Sequence, residues 1–512
     1  MGRKILFVTT DQQRFDGLGC NGGRIARTPV LDGLARDGIV YRRAYTQNTE
    51  CMPARSTMLT GQYPRTHGVT MNGIPLPLDS PNIAALLRDR AGYRTALIGK
   101  AHFEPSSAPD QSYFENKAAR LGSTGPHRGF ERMELAAHTG RPGRSMYHYP
   151  KWLADNHPDA VDGFFEYIDK NQMPSARGGG DTLAPQVWFN PIPRALYHTD
   201  WVADRAIGWL KSLPTDADWF LWLSFPDPHH PWDPPRSELA RHNWRDLDLP
   251  PAYPGSPERC AEILARKPSH WLENYEGRGR FNFSVPPTFV PANLTADQIR
   301  EVNGVVHVEN ELIDEALGRV VDCIGLRGWN EDTDVFFTTD HGEMQGDFGM
   351  LFKGAFHVDA LMRAPFVWRP APSAKITPTV IGEAVGHIDL APTFAKVAGV
   401  AADPAFQGAP LPTDASSMRH ERAIVTWDDQ PGDRAICLST LYREGFVCTL
   451  YERTGYYEGV EGELYDLRND PHQWENLWDD PDHASLKSDL LADLKDHLPS
   501  RREPPLEKVA RV

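Results

Sequence analysis

The chain has no apolar run long enough to cross a bilayer. The one near its start, Ile5-Leu6-Phe7-Val8, spans four residues, and no later stretch approaches the roughly 20 that a spanning helix needs. A surplus of basic residues is also missing: 54 Lys and Arg stand against 69 Asp and Glu, a formal net charge of -15. That balance argues against a surface built for phosphate backbones, which draws its affinity from clustered Lys and Arg. An anionic substrate would need a local positive pocket. Cysteine is scarce, with six residues (Cys20, Cys51, Cys260, Cys323, Cys437 and Cys448) widely spaced and without a C-x-x-C pair or a zinc-type grouping. Reduced thiols are expected, and a Cys437 to Cys448 bridge across a hairpin, although conceivable, does not suit a cytosolic setting. Internal repeats and low-complexity tracts are lacking too. These absences give the expectation of a cytoplasmic protein with neither nucleic acid nor membrane as partner.

What is present is globular composition, with 40% hydrophobic and 24% charged residues. At 512 residues the chain exceeds one ordinary core, and two domains are expected, residues 1–407 and 408–512. The 44 prolines and 42 glycines point to many ordered loops between short elements. Short apolar runs alternate with helical patterns in the N-terminal part: strands over Ile5 to Thr9, Thr95 to Gly99, Trp219 to Phe225 and Thr333 to Thr339, and helices from Pro29 to Asp37 with Thr28 as cap and from Asn82 to Ala91. Thr295 and Gln298 form a capping box ahead of a helix reaching about Cys323. The pattern is an α/β one. Its strands deliver polar clusters at their C-terminal ends, where open α/β sheets form ligand crevices.

The region from about Ser106 to Pro193 reads as long insertions over that crevice. From about Gly408 the character changes to antiparallel strands, at Ala423 to Trp427, Asp433 to Leu438 and Gly445 to Tyr451, closed by a helix from Ala484 to Leu498. Residues from Arg501 onward read as a mobile or partner-contacting tail.

One pentapeptide stands out. Cys51-Met52-Pro53-Ala54-Arg55 runs into Ser56-Thr57-Met58-Leu59-Thr60-Gly61. Pro53 at an early helical position and the helical pattern through Leu59 place Cys51 at a helix N-terminus, where free N–H groups and the dipole favour anionic oxygens. A lone cysteine is more often a small buried hydrophobe than a nucleophile, so the surroundings give Cys51 its weight. The spacing rules out the loop of protein tyrosine phosphatases, which needs five residues between cysteine and arginine.

This C-x-P-x-R stretch with its S-T-M-L-T-G continuation resembles the signature of the sulfatases. The resemblance implies that Cys51 is oxidised by a formylglycine-converting enzyme to Cα-formylglycine, whose hydrate supplies the attacking hydroxyl. It also implies that Arg55, one turn on, holds the deprotonated diol. Asp340 and His341 in Thr338-Thr339-Asp340-His341-Gly342-Glu343 match the family's D-H-G-E segment. With Asp11, Gln12 and residue 51 they form the implied metal set. Hard oxygens suit Ca²⁺, Mg²⁺ or Mn²⁺, and the lone imidazole pulls toward Mn²⁺. Gln12 stands where many sulfatases carry a second aspartate and His341 where asparagine is common, a departure similar to that of phosphonate monoester hydrolases and choline sulfatases. One carboxylate fewer leaves the ion a stronger Lewis acid.

Lys100 and His102 in Gly99-Lys100-Ala101-His102, His229 in Pro228-His229-His230-Pro231 and Lys353 in Leu351-Phe352-Lys353-Gly354 match further family positions. By resemblance, Lys100 and Lys353 clamp the equatorial oxygens, His229 or Lys353 protonates the leaving group, and His102 takes the proton that lets the hemiacetal ester collapse. Asn72 lies where relatives place a substrate-contacting amide, with His67 just upstream. Trp201, Trp219, Trp222 and Trp232 are candidates for aromatic walls, although tryptophan is more often core.

The likeness runs from Asp11 to Lys353 and continues in Glu463-Leu464-Tyr465-Asp466-Leu467, Asp470-Pro471 and Asn476-Leu477. It implies an alkaline-phosphatase-like fold: a large mixed sheet sandwiched by helices, with a smaller C-terminal α+β domain. It further implies an arylsulfatase-type enzyme acting on small anionic esters, promiscuous toward phosphonate and phosphate esters, in a homo-oligomer (dimer or tetramer). The alternatives are a phosphonate monoester hydrolase or phosphodiesterase, a choline-sulfatase-like enzyme, and a non-catalytic binding protein with unconverted Cys51.

Overall fold

The computed structural model describes residues 2–105, 113–138, 147–161, 177–281, 286, 288–415 and 422–510. Parts of the expected insertions between Ser106 and Pro193 lie outside the described residues. The large sheet contains β1 (Lys4–Thr10), β2 (Ile39–Tyr45), β3 (Arg94–Gly99), β4 (Arg132–Leu135), β5 (Trp219–Ser224), β6 (Thr333–Thr339), β7 (Arg363–Ala364), β8 (Phe366–Arg369) and β9 (Thr379–Gly386). Their order is β4-β3-β5-β1-β6-β8-β2-β7, with β9 also on β2. The run β4-β3-β5-β1-β6 is parallel, while β8 lies antiparallel to both β6 and β2.

Every residue of β1, β5 and β6 is buried, as a parallel sheet covered on both faces requires. The pleat sorts their side chains. Ile5, Phe7, Phe220, Trp222 and Phe336 enter one apolar cluster, and Leu6, Val8, Leu221, Leu223, Val335 and Phe337 enter the other. Helices α1 (Pro29–Arg36), α2 (Cys51–Thr60), α3 (Ile83–Ala91), α4 (His198–Ser212), α5 (Ala296–Leu326) and α6 (Leu390–Val397) divide between the faces. The first cluster takes apolar residues of α2, α3 and α6, and the second those of α1, α4 and α5. Trp201, Trp219, Trp222 and Trp232 are all buried core.

The capping box of Thr295 and Gln298 opens α5, and the Asn82 side chain caps α3 by accepting from Ala85 N–H at 2.8 Å. Thr28 does not cap α1 with its side chain. Its hydroxyl instead accepts from Gly19 N–H and faces Asp32.

A second sheet follows, β10 (Arg422–Asp428), β11 (Cys437–Arg443), β12 (Phe446–Tyr451) and β13 (Gly462–Asp466), antiparallel throughout. One face packs under α7 (Ala484–His497) through Leu441, Leu464, Leu490 and Leu494, and the other joins Tyr45, Met362 and Ala384 of the large sheet's end. The expected strand at Asp433 begins instead at Cys437, because the Asp429 carboxylate accepts from Ile436 N–H at 3.0 Å and Ala435 N–H turns back on Gly432. Register sets Cys437 opposite Asp428 and Cys448 opposite Leu441, and all six cysteines are free.

The tail is a further correction, since its described part lies against its own chain. Arg502 N–H bonds Arg65 O at 2.7 Å, Val509 N–H bonds Gly73 O at 3.0 Å, and Arg501 pairs with Asp428 and Glu452. Among the described residues, no helix is long and apolar enough to cross a membrane.

Candidate active site

Four adjacent strands, β3, β5, β1 and β6, end at one level and release Lys100, Asp227 with His229, Asp11 with Gln12, and Asp340 with His341. Helix α2 enters the same place. All ten of its residues are buried, Cys51 is its first, and Gly61 closes it in the left-handed region with its N–H on Thr57 O. At Gly99 the chain turns with φ 109°, and a Cβ there would meet Ser224 O at 1.7 Å, so glycine is required for the turn that presents Lys100.

The Cys51 sulfur is the hub. Lys353 Nζ lies 2.9 Å from it, His341 Nε2 at 3.3 Å and Asp11 Oδ1 at 3.6 Å. Lys353 also donates to Gln12 Oε1 at 2.8 Å and reaches His341 Nε2 at 3.1 Å, while Lys100 pairs with the other Asp11 oxygen. The donor atoms of Asp11, Cys51, Asp340 and His341 lie within 4.8 Å of one another. His341 spends Nδ1–H on the Gly342 carbonyl at 2.9 Å, which leaves Nε2 bare toward the centre, the tautomer a metal-ligating imidazole needs. A hard divalent cation fits this set of two carboxylates, an amide oxygen and one imidazole.

Glu343, whose role the sequence motif alone did not suggest, accounts for the Gln12 orientation. Its carboxylate takes Gln12 Nε2 and, with its other oxygen, Gln345 N–H at 3.2 Å and Phe352 N–H. Gln12 Oε1 is thereby turned to the centre, which makes the amide an acceptor there. The available signal was the fourth letter of the D-H-G-E segment.

Arg55 is fully buried, and its donors meet Asp340 Oδ2 at 2.8 Å, Ser224 Oγ at 2.8 Å, Lys100 O at 2.9 Å and Thr10 O at 3.3 Å. It therefore binds the ends of β1, β3, β5 and β6 together beneath residue 51. Asn72 Oδ1 accepts from Met52 N–H at 3.0 Å, so the side-chain amide sits at the start of α2, and the Asn72 backbone N–H donates to the Glu50 carboxyl. His67 accepts from Val69 N–H at 3.1 Å and meets Thr57 Oγ1, away from the hub. His230 lies 3.3 Å from Gln12 Nε2.

The electrostatics favour an anion at position 51. Burial pushes the Cys51 thiol up, but the Lys100 and Lys353 ammonium groups outweigh it and hold the group well below the usual thiol range. Burial likewise opposes the Asp11 carboxylate, and Lys100, His229 and Arg55 pull it down overall. Burial pushes the His229 ring down to about 4, and burial lifts Glu50, just before Cys51, to about 7 despite the Asn72 N–H bond. His102 stands with φ 61°, its ring buried with Nδ1 unpartnered, and the Cys51 charge acts on it. Lys100, His102, His229 and Lys353 are thus brought together around residue 51.

A family model described as Sulfatase matches residues 3–400, and one described as N-sulphoglucosamine sulphohydrolase, C-terminal, matches residues 346–500. The chain is 26% identical to an uncharacterized sulfatase of Escherichia coli over 98% of its length and 88% of the relative's. It is 26% identical to a multifunctional alkaline phosphatase superfamily protein of Trinickia caryophylli, covering 95% and 93% of the two chains. An arylsulfatase of Clostridium perfringens is 25% identical, covering 93% and 90%. Among solved structures, the phosphonate monoester hydrolase of Agrobacterium radiobacter superposes with TM-score 0.76 at 24% identity, covering 96% and 95% of the chains. The fold is the alkaline-phosphatase-like α/β arrangement, a large mixed sheet with helices and a C-terminal four-stranded antiparallel sheet.

Proposed function

The chain belongs to the sulfatase family, and from that premise we propose that it hydrolyses small anionic sulfate esters of the arylsulfatase type, with residue 51 as nucleophile after conversion to Cα-formylglycine. The observation that carries this reading is the hub itself. A buried helix N-terminus presents residue 51 to two lysines and to a bare imidazole and carboxylate oxygens that suit a divalent cation. When bound, that cation, Ca²⁺ or Mn²⁺, would be held by Asp11, Gln12, Asp340, His341 and residue 51, and would supply Lewis-acid stabilisation of the ester oxygens.

The converted residue offers a hydrated aldehyde, one oxygen of which bonds to sulfur while the bond from sulfur to the leaving oxygen breaks. Lys100 and Lys353 neutralise the charge that gathers on the remaining sulfuryl oxygens. Asn72, at the α2 N-terminus, bounds the substrate side. His229 and Lys353 are the two groups placed to give the departing alcohol or phenol its proton. His102 then takes the proton of the second hydroxyl on residue 51. Its electrons restore the carbonyl as sulfate leaves with the carbon–oxygen bond pair, and water re-forms the hydrate. Arg55 holds the strand ends on which these groups stand and favours negative charge on residue 51.

A second reading draws on Gln12 and His341. Fewer carboxylates at the cation suit a more electrophilic site, and relatives bear the names phosphonate monoester hydrolase and choline-sulfatase. In that reading phosphonate monoesters or phosphodiesters are the better substrates. A third reading, a binding protein that keeps Cys51 as thiol, uses the same cradle for an anion without turnover. The proposal includes a cytoplasmic setting, a converting enzyme during maturation, a dimer or tetramer, and a division into residues 1–407 and 408–512.

The test is the intact mass of the residue-51 peptide from protein made in its own host, followed by rates on matched aryl sulfate and phenylphosphonate esters. Aldehyde or hydrate mass with faster sulfate turnover is expected. A many-fold preference for the phosphonate moves the assignment to the second reading, and an unmodified thiol without turnover to the third.

A further inference from the structure

His102 stands on a loop whose conformation it cannot hold by itself. Its φ of 61° is a left-handed value that side chains rarely adopt, and Nδ1 is buried without a hydrogen-bond partner. The loop's backbone is secured from elsewhere. Glu115, fully buried at the start of a short helical turn over Phe114–Ala118, accepts His102 N–H on Oε2 at 2.6 Å, and on Oε1 Phe103 N–H at 2.7 Å and Glu104 N–H at 3.1 Å. Three consecutive amides thus converge on one carboxylate. Glu104 returns the bond by accepting Glu115 N–H at 3.1 Å, and its other oxygen is held by Arg128 at 2.9 Å and His127 at 3.0 Å. The nearby loop from Leu76 to Pro77 is drawn into the same knot through Arg128.

We infer that Glu115 is a positioning residue for the proposed reaction, fixing His102 for the step in which sulfate leaves residue 51. This inference rests on the reading above. Glu115 reaches the amides of His102, Phe103 and Glu104 and has no bond to Lys100, Lys353 or His229 among those described. It therefore acts on the proton acceptor of the second half-reaction and leaves the clamp of the first half-reaction in place. Nothing in the sequence marked it, because it lies in a polar stretch outside every motif.

Glu115→Gln replaces one acceptor oxygen by an NH₂ group that must face an N–H donor. Two readouts separate positioning from general support. Hydrogen exchange of the peptide spanning residues 100–105 reports the three amides directly, whatever the state of residue 51. Rapid mixing with p-nitrophenyl sulfate reports the half-reactions: the wild type releases nitrophenolate linearly, whereas the variant gives a burst of no more than one equivalent followed by turnover about 10-fold to 100-fold slower. Faster exchange together with the burst is the expected result. Unchanged exchange, or a slower release that stays linear without a burst, overturns the inference. Should Glu115→Gln not fold, Glu115→Asp, which keeps the carboxyl group and withdraws its oxygens, is read in the same way. A wild type that turns over neither sulfate nor phosphonate ester removes the hydrolase reading and the inference with it, whereas an active wild type with an unaltered variant removes the inference alone.

Discussion

Two of the buried lysines, Lys353 and Lys267, lie in settings that differ in one decisive respect. Lys353 sits in the crevice among Cys51, Gln12 and His341. Burial works against its charge, yet Cys51, Asp11 and Asp340 raise its affinity for the proton overall. Lys267 sits between the large sheet's loops and the C-terminal sheet, 3.4 Å from Glu463, with its ammonium 4.3–4.8 Å from the ring centroids of Tyr465, Trp271 and Phe348. There burial prevails and lowers its affinity for the proton, with Glu463 only partly offsetting it. Glu463 in turn is closed off by Trp271 Nε1 at 3.0 Å and by the hydroxyls of Tyr451 and Tyr465. One region keeps more negative and lone-pair atoms than its own cations use, arranged around a centre. The other closes each charge on a neighbour and fills the remainder with rings. The first arrangement can bind something, and the second holds two sheets together.

Replacing each lysine should break different properties. Lys353→Ala is expected to lower kcat/KM on an aryl sulfate by roughly 10²–10³-fold, the usual scale for one charge-stabilising group. Its urea midpoint in the presence of the divalent cation should stay near that of the wild type, because the remaining donors have the cation as partner. Full activity with a collapsed midpoint would place Lys353 in the same class as Lys267.

Lys267→Ala should do the reverse. Removing one partner leaves Glu463 buried without its cation and costs about 3–5 kcal/mol of unfolding free energy. Turnover per folded molecule should hold within a few-fold. Chemical denaturation followed alongside activity separates the two, and a variant as stable as the wild type would show that the tyrosine hydroxyls alone satisfy Glu463.

Acid should loosen the closed region. His270 touches the Ala355 carbonyl and the Tyr457 hydroxyl at 2.8 Å each, and His357 meets Thr440 Oγ1 at 2.6 Å. Burial lowers their rings to about 4 and about 3, against 6.5 for the free side chain. The unfolded chain therefore binds these protons first as pH falls. Stability contributed by the neutral rings is intact above about pH 6.5 and is lost progressively toward pH 4, by up to about 3 kcal/mol for His270. The urea midpoint should fall between pH 7 and pH 5. A midpoint that is flat or rises over that interval would contradict neutral burial of these rings.

The crevice was far more legible in the sequence than the closed region, and the reason is physical. The crevice's polar groups sit at strand ends and at one helix start, so β1, β3, β5 and β6 were read within a residue or so from their apolar runs, and Asp11, Lys100, His229 and Asp340 lie just past them. The local signal at Thr295 also matched the observed cap, whereas that at Thr28 did not. Contacts between distant segments leave no such local trace. Glu115 acts by accepting backbone N–H groups, which any sequence supplies, and Glu343 reaches the Gln12 side chain across 331 residues. Lys267 and Glu463 meet across 196 residues. The start of β11 was misplaced because a side-chain bond from Asp429, not β-propensity, decides where the turn ends. Strands β2 and β7 to β9 carry mixed polarity or are short, and their pairing is fixed by the sheet rather than by their own pattern.

The tail gives the mildest contrast. Arg501 pairs with Asp428 and Glu452 at 2.6 Å each, the same carboxylates that Arg65 engages from the α2 side, but its own side chain is about half exposed, at 47%. Water competes for it in a way that it cannot for Lys267. Because Arg65, at 3% exposure, still neutralises Asp428 once Arg501 is removed, no carboxylate is stranded. Arg501→Ala should therefore cost about 0.2–1 kcal/mol, in the range of exposed ion pairs. The loss should shrink further in molar salt, where the screening length falls to about 3 Å. A thermal melt at low and high salt measures this. A cost several times larger, and independent of salt, would mean that the tail is held by Leu506 against the core and by the Val509 bond to Gly73, with Arg501 serving to set its course.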